Sequence, residues 1–126
     1  MTDLDGKNIL IVDDSAVMRM LISIIIRKTA KLVNITEAVN GIDAITKMRE
    51  QDFDLVLTDI AMPEMDGLQM VRTMRNSLNK TVPVVIITSK GKTGEKELGL
   101  RQGANGYITK PLDTHALKKV VLDFLG

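Results

Sequence analysis

The sequence contains no cysteine, which excludes a disulfide framework and a thiolate metal site and fits a reducing compartment. No export signal is expected either, because residues 1–7 are polar and acidic, with no apolar core followed by small residues. We therefore expect a cytoplasmic protein, in which Asn34-Ile35-Thr36 and Asn79-Lys80-Thr81 match a glycosylation pattern by accident. No apolar run approaches the roughly 20 residues that span a bilayer. The densest, residues 20–26, is interrupted by Ser23 and bounded by Arg19 and Arg27, and is expected to be a core helix and not a membrane contact. Excess charge is missing as well: 17 Lys and Arg against 16 Asp and Glu leave +1, too little to make nucleic acid a direct partner. The single histidine, His115, reads as a surface residue at the start of a helix.

What is present fits one domain over residues 1–126, with 44% hydrophobic residues, enough for an ordinary core. The charge is spread unevenly. Residues 88–126 carry seven basic and four acidic side chains, a net +3, and the first 87 residues a net −2. The bland reading is a solvated surface; the sharper one is that Lys92, Lys96 and Lys119 steer an acidic partner peptide.

The chain alternates two periodicities. Asn8-Ile9-Leu10-Ile11-Val12 is a continuous β-branched run, as expected of a parallel strand covered on both faces, and ends in Asp13-Asp14. Ser15 can cap a helix whose Val17, Leu21, Ile24, Ile25 and Lys28 recur at helical spacing. Residues 33–37 alternate like a strand, and Asn40-Gly41 turns into a helix with Ala44, Ile45 and Met48 inward. Residues 55–58 read as a third strand and 68–75 as a third helix. Residues 82–88 make a fourth strand, with Pro83 near its start, where a missing donor is tolerated. Between Lys90 and Arg101 lies a helix punctuated by Gly91, Gly94 and Gly99, each interior glycine costing about 1 kcal/mol relative to alanine, so it is expected to be loosely held. Residues 107–109 form a short strand ending at Lys110-Pro111. Asp113 or Thr114 caps a last helix bearing Leu117, Val120, Val121, Phe124 and Leu125. Five strand–helix alternations predict an α/β fold, a doubly wound five-stranded parallel sheet.

In such sheets ligands bind beyond the carboxyl ends of the strands, where the winding reverses, and the order 2-1-3-4-5 sets strands one and three side by side. Asp13, Asp14 and Asp59 would then meet at one rim, with Thr88 and Lys110 arriving from strands four and five. Asp59 alone reads equally well as a cap or a turn former, since Pro63 and Gly67 interrupt the backbone after it. In company it reads differently, because three crowded carboxylates repel and raise one another's pKa unless a cation intervenes. An all-oxygen set with room for water suits Mg²⁺ better than zinc. Lys110 and Thr88 offer a charge and a hydroxyl suited to phosphoryl oxygens.

These residues carry a resemblance: Asp13-Asp14, Asp59 heading Asp59-Ile60-Ala61-Met62-Pro63-Glu64-Met65-Asp66-Gly67, Thr88 before Ser89, Tyr107, and Lys110-Pro111. Together and in this order, the chain resembles the response-regulator receiver domain family, with its flavodoxin-like, CheY-like fold, and most closely its stand-alone chemotaxis-type members. The resemblance implies that Asp59 accepts a phosphoryl group from a sensor histidine kinase. It implies that Asp14, Asp59 and the Ala61 backbone carbonyl hold Mg²⁺ with help from Asp13. It further implies that Thr88 and Lys110 bind the phosphoryl oxygens, that Thr88 and Tyr107 form a switch, and that Lys110-Pro111 is a cis peptide. The implied output is binding of a protein target, such as a flagellar motor switch or another signalling protein, by a monomer that is no general enzyme, with a separate phosphatase as a further partner. Two positions depart from the chemotaxis pattern: Ala61 and Lys90 stand where an amide and an acid are expected, and both border the path of the hydrolytic water, so they are candidates for tuning the acyl phosphate lifetime.

The rivals are weaker. Gly91-Lys92-Thr93 imitates the end of a P-loop, yet the first glycine of that motif would fall on Ile86. An aspartyl phosphatase shares Mg²⁺, acids and a lysine, but would carry an Asp-x-Asp nucleophile on the first strand. Within the receiver reading, the alternatives are a phosphorelay intermediate and the excised receiver of a larger regulator.

Overall fold

Asn8–Val12 (β1) is flanked on both sides by parallel strands, Asn34–Ala38 (β2) and Leu55–Thr58 (β3). β3 pairs with Val84–Ser89 (β4), and β4 with Gly106–Lys110 (β5), giving one parallel sheet of order β2-β1-β3-β4-β5. The helices are Ala16–Thr29 (α1), Gly41–Glu50 (α2), Gly67–Asn76 (α3), Glu95–Gln102 (α4) and Thr114–Leu125 (α5). This is the doubly wound order expected. The computed structural model describes residues 4–89 and 94–126.

The two-residue period of the strands divides the core. Ile9, Ile11, Leu55, Leu57, Val85, Ile87 and Ile108 face α1 and α5, meeting Ile22, Ile26, Leu117, Val121 and Leu125. Leu10, Val12, Val56 and Val84 face α2 and α3, meeting Ala44, Ile45, Met48, Met70, Val71 and Met74. A satellite of Ile60, Ile86 and Ala104 carries Leu68 and Tyr107 against it. Full burial of each large aliphatic side chain contributes about 1.5–3 kcal/mol; β3 is buried throughout, and β1 and β4 are buried except at Asn8 and Ser89.

Caps start the helices where side-chain oxygens can reach free N–H groups. Ser15 accepts from Met18, Asn40 from Asp43, and Asp113 from His115 and Ala116. Asp66 accepts from the N–H of Gln69 while the Gln69 side chain accepts from the N–H of Asp66, a reciprocal capping box that the sequence reading overlooked.

The apolar stripe read on α1 is corrected. Ile22 and Ile26 are its buried residues, with Met18 and Ile25 packed beside them, whereas Val17, Met20, Leu21 and Ile24 lie 41–62% exposed on the outer face. Residues 20–26 are thus only half core. Gly99 is also more than a weak point. A Cβ there would lie 2.6 Å from Ile86 Cδ1, so the glycine lets α4 approach β4. Gly94 starts α4 in a left-handed conformation without a side-chain cap. Among the described residues, no helix is long and apolar enough to cross a membrane.

Candidate functional site

Sheet register brings the acids together. Val12 pairs with Thr58, so the next residues, Asp13 and Asp59, leave adjacent strands at the same edge. The N–H of Asp13 donates to Ala38 O at 3.1 Å and that of Asp59 to Val12 O at 3.0 Å, prolonging the sheet by one bond on each strand. Asp13 and Asp59 are buried and Asp14 is exposed, with carboxylate oxygens of all three within 4.8 Å of one another.

Each buried carboxylate is partly satisfied. Asp13 Oδ1 accepts from Ser15 N at 2.8 Å, and Asp59 Oδ1 from Ile60 N at 2.6 Å. Lys110, at the end of β5, reaches across: its Nζ is 3.0 Å from Asp59 Oδ2 and 3.4 Å from Asp13 Oδ2. Burial is the largest influence on Asp13 and pushes its pKa up, as does the nearby Asp59 charge; the Ser15 N–H and Lys110 pull it back without cancelling the rise. Burial also works against the Lys110 ammonium, but the hydrogen bond and charge of Asp59, followed by those of Asp13, outweigh it and hold its pKa above the ordinary lysine value. One ammonium among three carboxylates leaves two formal negative charges among these four groups. A hard dication would neutralise them, and the donor set, made of oxygens alone and open at Asp14, fits such an ion.

Thr88 is buried on β4, two residues beyond Ile86, the register partner of Thr58. Tyr107 on β5 pairs with Ile86 and is half-buried against the satellite cluster. Ser89 is the register partner of Lys110, and the Lys110-Pro111 peptide is cis. Ala61 is exposed and carries no polar side chain. Lys90, Gly91, Lys92 and Thr93 lie outside the described residues.

One support of the site escaped the sequence reading, and so did the packing role of another. Arg19 donates from Nη1 to Asp13 O at 2.7 Å and from Nε to Glu37 Oε1 at 2.8 Å, tying the acidic turn to α1 and β2. Its place one turn into α1 was the available signal, but an arginine beside a helix N-terminus reads first as solvated. Gly67, taken from sequence as an interruption, is the first residue of α3 and donates to Ile60 O at 2.9 Å. A Cβ at this position would fall 2.1 Å from the Asp59 carbonyl oxygen, so only glycine lets α3 start this close to the site.

A doubly wound sheet of this order, with acids and a lysine at the carboxyl edge of its central strands, defines the class as a flavodoxin-like domain with a switch-point site. Comparison with known proteins narrows the class. The sequence pattern of the response regulator receiver domain matches residues 9–122. Protein PilH of Pseudomonas aeruginosa is 37% identical over 114 residues, covering 90% of this chain and 93% of that protein. Chemotaxis protein CheY of Halobacterium salinarum is 33% identical over 120 residues, covering 95% and 98%. Among solved structures, a putative response regulator from Chloroflexus aurantiacus superposes with a TM-score of 0.86 at 26% identity, covering 96% of this chain and 98% of the other. The chain belongs to the response regulator receiver domain family: it is a receiver domain of two-component signalling, and such domains are signalling proteins and not conventional enzymes.

Proposed function

We propose that this chain is a phosphoacceptor switch in which Asp59 takes a phosphoryl group from a sensor histidine kinase. The observation that supports this most is the pairing of Asp59 with Lys110 at 3.0 Å, in a buried rim crowded by Asp13 and Asp14. An Asp59 carboxylate oxygen attacks phosphorus in line, the phosphorus–nitrogen bond to the donor imidazole breaks, and an acyl phosphate forms. Lys110 and the Thr88 hydroxyl then bind phosphoryl oxygens. Asp13, Asp14, Asp59 and the Ala61 carbonyl would hold Mg²⁺, which when bound supplies charge neutralisation for the transferred group. The domain positions the partners and offsets charge, and the donor carries the transferable phosphate.

The proposed readout couples Thr88 to Tyr107. Movement of Thr88 toward the phosphoryl group lets Tyr107 turn deeper against Ile60, Ile86 and Ala104, changing the surface of α4, β5 and α5. The exposed stripe of Val17, Met20, Leu21 and Ile24 begins two residues after the Ser15 cap, so a donor domain reaching Asp59 would cover it. Relatives named as chemotaxis proteins support a chemotaxis-type output through a protein target such as a motor switch, and we propose that residues 1–126 act there as one domain, monomeric and cytoplasmic. Ala61 and Lys90 are proposed to set acyl phosphate lifetime. Ala61→Asn and Lys90→Glu should each shorten it by up to about tenfold, or about 1.4 kcal/mol of barrier, and parent rates in both would assign the timer to an external phosphatase.

The test is intact mass measurement after incubation with a small acyl phosphate and Mg²⁺. One phosphoryl group per chain, absent from Asp59→Asn, supports the reading. Multiple turnover of a phosphomonoester without a stoichiometric adduct would instead support an aspartyl phosphatase.

A further inference from the structure

At the pole of the sheet opposite Asp59, the segments leading into β3 and β4 line an open cavity of about 390 Å³. Its apolar floor is made by Met48 and Phe53, both buried, and by Leu78 and Val82, both half-buried. The size lies at the small end of the range for sites that take small molecules, and the rim around the apolar floor is polar, with Gln51, Asp52, Asn79, Lys80 and Thr81.

The rim is built around one cation. The backbone of Lys80 is fixed from both sides: its N–H donates to Met74 O at 2.8 Å, and its carbonyl accepts from Arg75 Nη1 at 2.9 Å. Arg75 is itself anchored through Nε and Nη2 to Gly103 O. The Lys80 side chain, 28% exposed, crosses the rim to Asp52 Oδ1 at 2.7 Å. Asp52 is 91% exposed, so the partner of this ammonium stands almost wholly in water and is easily exchanged. A cation carried on an anchored backbone, beside an apolar floor and matched by a replaceable surface carboxylate, is complementary to a ligand that has an apolar body and one negative charge.

We propose that this cavity binds a small amphipathic carboxylate, its apolar body on Met48, Phe53, Leu78 and Val82 and its carboxylate on Lys80 in place of Asp52. The site uses none of the groups assigned to phosphoryl transfer and stands independently of that reading. Its location gives it a route to the other pole, because β3 and β4 start beside the cavity and lead to Asp59, which follows β3, and to Thr88, near the end of β4.

The test is a titration of the full chain with octanoate and, separately, with uncharged octanol, followed by amide and methyl NMR. Octanoate at millimolar concentration should shift the resonances of Leu78, Val82 and Phe53, and bind about tenfold more tightly than octanol. Lys80→Gln should erase that preference. Asp52→Asn, which frees the ammonium, should tighten octanoate about threefold, since only an exposed pair is given up. Both variants alter rim side chains, so unchanged melting temperatures serve as the folding control. Absence of shifts at these residues, equal affinity for octanoate and octanol, or weaker octanoate binding by Asp52→Asn would each overturn the proposal.

Discussion

Lys110 Nζ stands 3.0 Å from Asp59 Oδ2, so the carboxylate proposed to accept the phosphoryl group is already held by the cation proposed to bind it. The same ammonium lies 3.4 Å from Asp13 Oδ2 and links three strands across the edge of the sheet. The Lys110 pKa is raised in the folded chain, although burial alone would lower it. Its contribution to stability is therefore fully present below the ordinary value of 10.5 and is lost as pH rises through the folded value. We expect Lys110→Gln to destabilise the protein at pH 7 by about 1–3 kcal/mol and to flatten the loss of stability above pH 10.5. Chemical denaturation at the two pH values checks both effects, and parallel pH profiles would contradict the coupling.

Asp13 has the opposite sign. Burial raises its pKa above the ordinary 3.8, so the folded chain binds this proton more tightly than the unfolded chain does. The resulting penalty is absent well below pH 3.8, grows as pH rises through the window above it, and is complete at neutral pH. Asp13→Asn keeps an acceptor for the Ser15 N–H and removes the charge. We expect it to raise the melting temperature by about 2–6 °C in chelator and to weaken the response to Mg²⁺. In the parent, Mg²⁺ at ten times its dissociation constant should add about 1.4 kcal/mol, and Asp14→Ala should abolish that gain. Melting temperatures indifferent to both Mg²⁺ and chelator would remove the cation from the account.

Gly67→Ala tests how tightly α3 is seated. The added Cβ meets the backbone oxygen of Asp59, which cannot turn aside as a flexible side chain can. Overpacking of this kind typically costs about 1–3 kcal/mol, sometimes more. Loss of stability with a reduced rate of phosphoryl uptake is expected, and unfolding midpoints with uptake kinetics would show it.

The outer face of α1 offers a test that separates docking from chemistry. Leu21→Glu with Ile24→Glu changes two exposed side chains and should leave stability within about 0.5 kcal/mol per site. We expect phosphotransfer from a histidine kinase to slow about tenfold or more, with uptake from a small acyl phosphate unchanged. Equal slowing with both donors would place the defect in the site itself.

Much of this was readable because each strand is a short β-branched run followed at once by a chemically conspicuous residue. Asp13 follows Val12, Asp59 follows Thr58, and Lys110 closes β5, so strand alternation and site could be read together. α1 was misread because residues 20–26 are almost all apolar, and two stripes fit such a segment equally well. Only contact with β1 and α5 selects Ile22 and Ile26 over Leu21 and Ile24. Arg19, and the packing role of Gly67, were missed for a related reason: what makes them matter is a backbone oxygen brought close by the fold, and no local pattern records it. The Lys80 rim belongs to the same class, since Arg75 and Asp52 meet Lys80 only after α3 has packed.

The central claim is that Asp59, and no other carboxylate, carries the phosphoryl group. An acyl phosphate is reduced by borohydride, which converts the modified aspartate to homoserine, and peptide sequencing then locates it. After treatment with a phosphodonor and Mg²⁺, we expect homoserine at position 59 alone, approaching one per chain, with Asp13 and Asp14 unmodified. Homoserine at position 13 or 14, or none at position 59 in a chain shown to be phosphorylated, would contradict the account.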